Sequence, residues 1–140
     1  MIIKGKLIVC KRTVKEFKGK EQKEKLYVTL AEVKLSDEKL NELKEAFKDA
    51  GNKFTPSWVK KFDGYVNLAT EFELPCIDLD GDKHDSVEDF IKNEKFPWIS
   101  AECKVSVNIK DGALYPNSIK FLSEGKQFDA FAEFDNDDED

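Results

Sequence analysis

Residues 99–110, ISAECKVSVNIK, alternate apolar and polar side chains over a full strand length, a pattern that only a β-strand with one buried face satisfies. Ala101, Cys103, Val105, Val107 and Ile109 are expected inside, and Glu102, Lys104, Ser106, Asn108 and Lys110 outside. A half-buried strand needs partners, and the chain supplies them. Residues 2–11, IIKGKLIVCK, are β-branched and aliphatic, and residues 26–35, LYVTLAEVKL, read as the returning strand. The stretch between them is polar, rich in lysine and broken by Gly19, which predicts a long exposed hairpin loop. GYVNLATEFEL alternates again, with Val66, Leu68, Thr70, Phe72 and Leu74 expected on the inner side. Asp111-Gly112 is a strong turn signal before a last strand, ALYPNSIKFL.

Two helices interrupt these strands. Ser36 is a good N-cap for SDEKLNELKEAFKDAG, in which Leu40, Leu43 and Phe47 share a face, and Ser86 caps the shorter SVEDFIKN. The order β-β-α-β-α-β-β predicts a mainly β chain with two helices, built as a five-stranded antiparallel barrel of the oligonucleotide-binding (OB) type over residues 1–125. A sandwich or a flat α+β sheet is the alternative. Residues 126–140 have strand periodicity no longer and read as a disordered acidic tail.

Charge is distributed unevenly. The formal net charge is −6, and residues 126–140 account for all of it with seven acids and one lysine. Residues 1–25 hold nine Lys or Arg against three Glu, whereas residues 63–94 hold ten acids against two lysines. A basic start and an acidic middle point to polyanionic or basic partners more than the overall pI does. The three cysteines (Cys10, Cys76, Cys103) are widely spaced with no C-x-x-C, so buried free thiols in a reducing cytoplasm are expected. With no apolar run near membrane-spanning length and no signal-peptide core, the expected location is cytoplasmic.

Catalytic chemistry finds little support in the motifs. Counted from Asp78, the loop Asp78-Leu-Asp80-Gly-Asp82 has Lys83 where a calcium-binding EF-hand needs glycine at position 6 and Asp89 where it needs a bidentate Glu at position 12, and it reads as a solvated turn. Glu102-Cys-Lys104 matches the E-x-K string of Mg²⁺-dependent nucleases, but so short a string is weak in a chain rich in both letters. A single histidine, His84, makes a triad hard to assemble. The expectation is a non-enzyme without a cofactor.

Binding chemistry is better represented. Single-strand binders combine cations for the phosphate backbone with aromatic faces for the bases. Lys11, Arg12, Lys15, Lys18 and Lys20 on the first hairpin, Lys60 and Lys61 further on, and Lys104 on the alternating strand are the candidate phosphate contacts. Tyr27 and Tyr65, on the polar sides of their strands, and Trp58 are the candidate stacking residues. In the tail, Phe128, Phe131 and Phe134 precede Asp135, Asp137, Asp138, Glu139 and Asp140. An acid-and-Phe segment can imitate nucleic acid in the body's own basic groove or dock on basic, apolar pockets of partner proteins.

The alternating strand Ala101–Lys110, Asp111-Gly112, the strand to Phe121-Leu122 and the terminal Asp135–Asp140, together with the basic hairpin, resemble the single-stranded DNA-binding proteins of bacteriophages and related mobile elements. That resemblance, one of layout across most of the chain, implies an OB fold and sequence-independent binding of single strands. It also implies a role in DNA replication and recombination, often as a dimer, with the tail recruiting replication and recombination proteins. The tail departs from that pattern by ending on Glu139-Asp140, with its aromatics inboard. Two other classes fit parts of the sequence: an acidic protein-binding module or DNA-mimic inhibitor of a nucleic-acid enzyme, and an Mg²⁺-dependent nuclease around Glu102 and Lys104.

Overall fold

One long strand organises the structure, a computed structural model that describes residues 1–49, 59, 61–110 and 113–126. Strand β1, Ile2–Thr13, pairs antiparallel through its first half with β8, Ala101–Lys110, and through its second half with β4, Lys25–Ala31. A bulge between Leu7 and Val9 marks the transition and shifts the outward positions from even to odd numbers. Lys4 and Lys6 therefore face outward before the bulge, and Val9 and Lys11 after it.

The sheet grows from β1 in both directions. β4 pairs with β5, Val66–Thr70, and β8 pairs with β9, Ala113–Phe121. Two short strands, β6 (Cys76–Ile77) and β7 (Lys83–His84), complete a seven-stranded sheet of order β5-β4-β1-β8-β9-β6-β7. A separate two-stranded hairpin, β2 (Glu16–Phe17) with β3 (Lys20–Glu21), sits in the β1–β4 connection. Its turn residues Lys18 and Gly19 both take positive φ, 52° and 74°, as a two-residue hairpin turn of matching twist requires.

The expectation of five antiparallel strands is corrected here. The sheet is mixed, because β6 runs parallel to β9, pairing Cys76 with Ile119 and Ile77 with Lys120. The chain leaving Leu74 thus covers the edge that β9 would otherwise expose. The long strands β5 and β9 lie against each other, so the sheet curls round its core, but among the described residues no hydrogen-bonded ladder closes it.

Inside the curl, Leu7, Leu26, Val28, Leu30, Val66, Ala101, Cys103, Val105, Ile119 and Phe121 are almost completely buried. Helix α1, Asp37–Asp49, contributes Leu43 and Phe47, with Ser36 Oγ accepting from the Lys39 amide at its start. Helix α2, Val87–Asn93, is capped by Ser86 as expected, its hydroxyl accepting from the Asp89 amide. Phe90 of α2 joins Phe96 and Phe121 in an aromatic cluster with ring centroids 4.7–5.8 Å apart.

Two boundary expectations fail for local reasons. The second strand stops at Ala31 rather than residue 35, because Glu32 takes a positive φ of 53° and turns the chain. Phe72, assigned inward by alternation, is 78% exposed, because β5 ends at Thr70 and its hydroxyl accepts the Phe72 amide in a bend. The Asp111-Gly112 turn falls outside the described residues, as do Trp58, Lys60 and the tail from residue 127.

The three thiols are free, and burial pushes Cys10 and Cys103 up to about 12 and Cys76 up to about 11. Native protein at pH 8 is accordingly expected to resist iodoacetamide, while protein unfolded in urea labels at all three positions, as mass spectrometry would count. Rapid labelling of native protein would contradict the packing. Replacing Phe121 by Ala, which removes the ring that both Phe90 and Phe96 pack against, should cost about 3–5 kcal/mol in denaturant unfolding.

Candidate nucleic-acid interface

The outer face of β1, β4 and β5 carries an aromatic ring framed by cations. In register, Lys11 of β1 lies opposite Tyr27 of β4, which lies opposite Ala69 of β5. The residue opposite on β5, Ala69, is small, Tyr27 itself is half-buried, and Lys15 places its Nζ 4.0 Å from the ring centroid. One row along, Val9, Thr29 and Asn67 line up, with the Thr29 hydroxyl donating to Asn67 Oδ1 at 2.9 Å. Tyr65, just ahead of β5, is 48% exposed.

A groove of about 460 Å³ continues this face past the end of the sheet. Lys25, Glu71 and Phe72 form one wall, and Asn108, Tyr115 and Asn117 of the β8–β9 pair form the other. Lys25 sits two residues from Tyr27 on the same side of β4, so ring and groove are contiguous. Exposed aromatic surface, side-chain amides and an ammonium are what a nucleobase and its phosphate would require. Neither Phe72 nor Tyr115 stands out in the sequence: alternation assigns Phe72 to the core, and Tyr115 precedes a proline in an unremarkable strand.

The remaining candidates are dispersed. Lys18, Lys20 and Lys61 are exposed. Arg12 is only partly exposed: its Nε and Nη2 donate to Glu88 Oε1 at 3.0 and 2.8 Å, and its Nη atoms reach the carbonyls of Glu71 and Phe72. Around it stand Glu24, Glu71, Glu73, Glu88 and Asp89, so this guanidinium offsets an acidic cluster and ties β1 to α2. A phosphate reaching Arg12 would have to displace a carboxylate.

Lys104 lies on another part of the outer face. In register it stands directly between Lys4 of β1 and Lys120 of β9, all three exposed. Glu102, its partner in the E-x-K string, is opposite Lys6, whose Nζ is 2.8 Å from Glu32. Among the described residues the one group of carboxylates spaced to hold a metal is Asp78, Asp80 and Asp82. Asp78 Oδ1 there accepts from the amides of Asp80 and Asp82, and Oδ2 lies 2.8 Å from His84 Nε2, which holds the Asp78 carboxyl below its usual range. Those bonds describe a self-satisfied turn.

No family model matches this chain, and neither does any curated protein. What it does has to follow from these side chains. One local consequence is directly measurable. Like charges directly opposed across strands are unfavourable, so Lys104→Glu, which sets a carboxylate between Lys4 and Lys120, should stabilise the free protein by roughly 0.2–1 kcal/mol in urea unfolding. Destabilisation would show that the three ammonium groups do not repel one another.

Proposed function

We propose that the chain is a non-enzymatic, sequence-independent single-stranded DNA-binding protein with an OB-type barrel, acting in DNA replication and recombination of the bacteriophage kind. The observation that carries this reading is the Tyr27 ring with Lys11 and Lys15 beside it, running into the groove of Lys25, Phe72 and Tyr115. Bases would stack on Tyr27, Phe72 and Tyr115 while Lys11, Lys15 and Lys25 replace counterions along the backbone.

The strand order supports the barrel. Counting long strands only, the first pairs with the second and the fourth, the second with the third, the fourth with the fifth, and the third lies against the fifth. An OB barrel is a partly open, five-stranded Greek-key barrel that binds along its second and third strands and the loops between strands one and two and four and five. The Tyr27 face lies on those two strands, and the groove is walled by the pair that the last of those loops joins. On this reading residues 126–140 compete with DNA for the basic face and recruit partner proteins, with Phe128, Phe131 and Phe134 as anchors.

A salt titration of oligo-dT binding tests the proposal. Stacking is worth about 1–3 kcal/mol per base, so Tyr27→Ala should weaken binding by roughly tenfold or more, and Lys11→Gln should lower the salt slope by about 0.7. Removing residues 126–140 should tighten binding. If neither the full chain nor the shortened one binds oligo-dT at low salt, the proposal is wrong. The acidic cluster round Arg12 favours a second reading, a protein-binding module or DNA mimic. That reading predicts no DNA affinity at any salt and stoichiometric capture of a basic partner.

A further inference from the structure

Lys4, Lys104 and Lys120 are aligned across three strands, each directly opposite the next, with neighbouring Cβ atoms about 5 Å apart. Other cations of this sheet and its surroundings find carboxylates: Lys6 meets Glu32, Arg12 meets Glu88 and Lys23 meets Glu71. In a chain with 29 acids, no carboxylate among the described residues lies within ion-pairing distance of these three lysines. Among the described residues these three opposed positive charges therefore have no ion-pair partner, and like charges directly opposite across strands are unfavourable.

The surroundings define what would relieve it. The next outward row is Ile2, Ser106 and Ser118, small or aliphatic, and the row on the other side is Lys6 with Glu102. No aromatic side chain belongs to either row, so nothing here is suited to stacking a base. Hydroxyls and ammonium groups in a line suit a run of phosphates. Along β1, Lys4 and Lys11 are seven residues apart, roughly 20 Å by strand rise, so this row is separate from the Tyr27 face yet reached by the same outer surface.

We infer that the Lys4–Lys104–Lys120 row is a second contact for the sugar-phosphate backbone, holding by charge alone a single strand that continues from the Tyr27 face. The inference rests on the single-strand reading above, and it is separable from it by length. Affinities of the full chain and of its Lys4→Gln/Lys104→Gln/Lys120→Gln variant would be compared on an oligo-dT of about five nucleotides and one of about sixteen, the ends of the usual OB site-size range.

The triple variant should bind the short oligomer within twofold of the parent. It should bind the long one tenfold or more weakly at low salt, with the slope of log K against log salt reduced by about two for three lost phosphate contacts. Tyr27→Ala should weaken both lengths. If the parent binds both lengths and the triple variant loses nothing on the long one, the row is no contact and only this inference falls. Equal weakening on both lengths overturns it too, since that is the signature of a general change in net charge. If the parent binds neither length, the single-strand reading itself fails and takes the row with it. Unchanged far-ultraviolet circular dichroism shows that the variant, altered only at exposed positions, keeps its fold.

Discussion

The double pairing of β1 is the constraint on which the rest of this structure depends. A twelve-residue strand that gives its first half to β8 and its second half to β4 holds the two hairpin units of the sheet together. Leu7, fully buried, sits where the two pairings overlap. The bulge beside it bends the sheet and adds twist, which brings β5 against β9. Gly5 permits the same bend: a side chain there would run into Val33 and the Ala31 carbonyl. Without that curvature the apolar faces of β4 and β8 would lie on one flat surface with nothing to cover them.

Curvature also separates the charges. The even-numbered lysines before the bulge and the odd-numbered lysine after it lie on one continuous outer surface but in different surroundings. Arg12, inward of that surface, is spent on Glu88. The acidic middle of the chain consequently gathers round Arg12 and the β5 end, rather than neutralising Lys4, Lys104 and Lys120. A count of charges by segment finds the imbalance but not which cations remain unpaired.

Much of the fold was legible because it depends on short-range pattern. The alternation from Ala101 to Ile109, the N-caps Ser36 and Ser86, and the inward Leu43 and Phe47 all appear as the sequence reads. What was not legible depends on pairing. Nothing in Pro75-Cys76-Ile77 announces a parallel partner, since that match is supplied by the free edge of β9. Phe72 misled because period-two alternation continues through the letters after the strand has ended at Thr70. In the candidate site Tyr27 and Tyr65 could be placed outward by parity. Phe72 and Tyr115 could not be joined, because the groove between them exists only once β5 lies against β9.

The Lys15 contact with Tyr27 has a consequence of its own. In the free protein the ring face already holds a cation at 4.0 Å. A base arriving on the proposed path would take that place, so association there is a substitution, and its yield is the difference between two ring contacts. On that proposal the displaced ammonium would remain on the same hairpin, close to the negative charge of a bound nucleotide. Arrival of the ring partner and of the counter-charge would be linked through a single side chain. A neutral aromatic ligand would gain only the first of the two and be held more loosely than its stacking surface suggests.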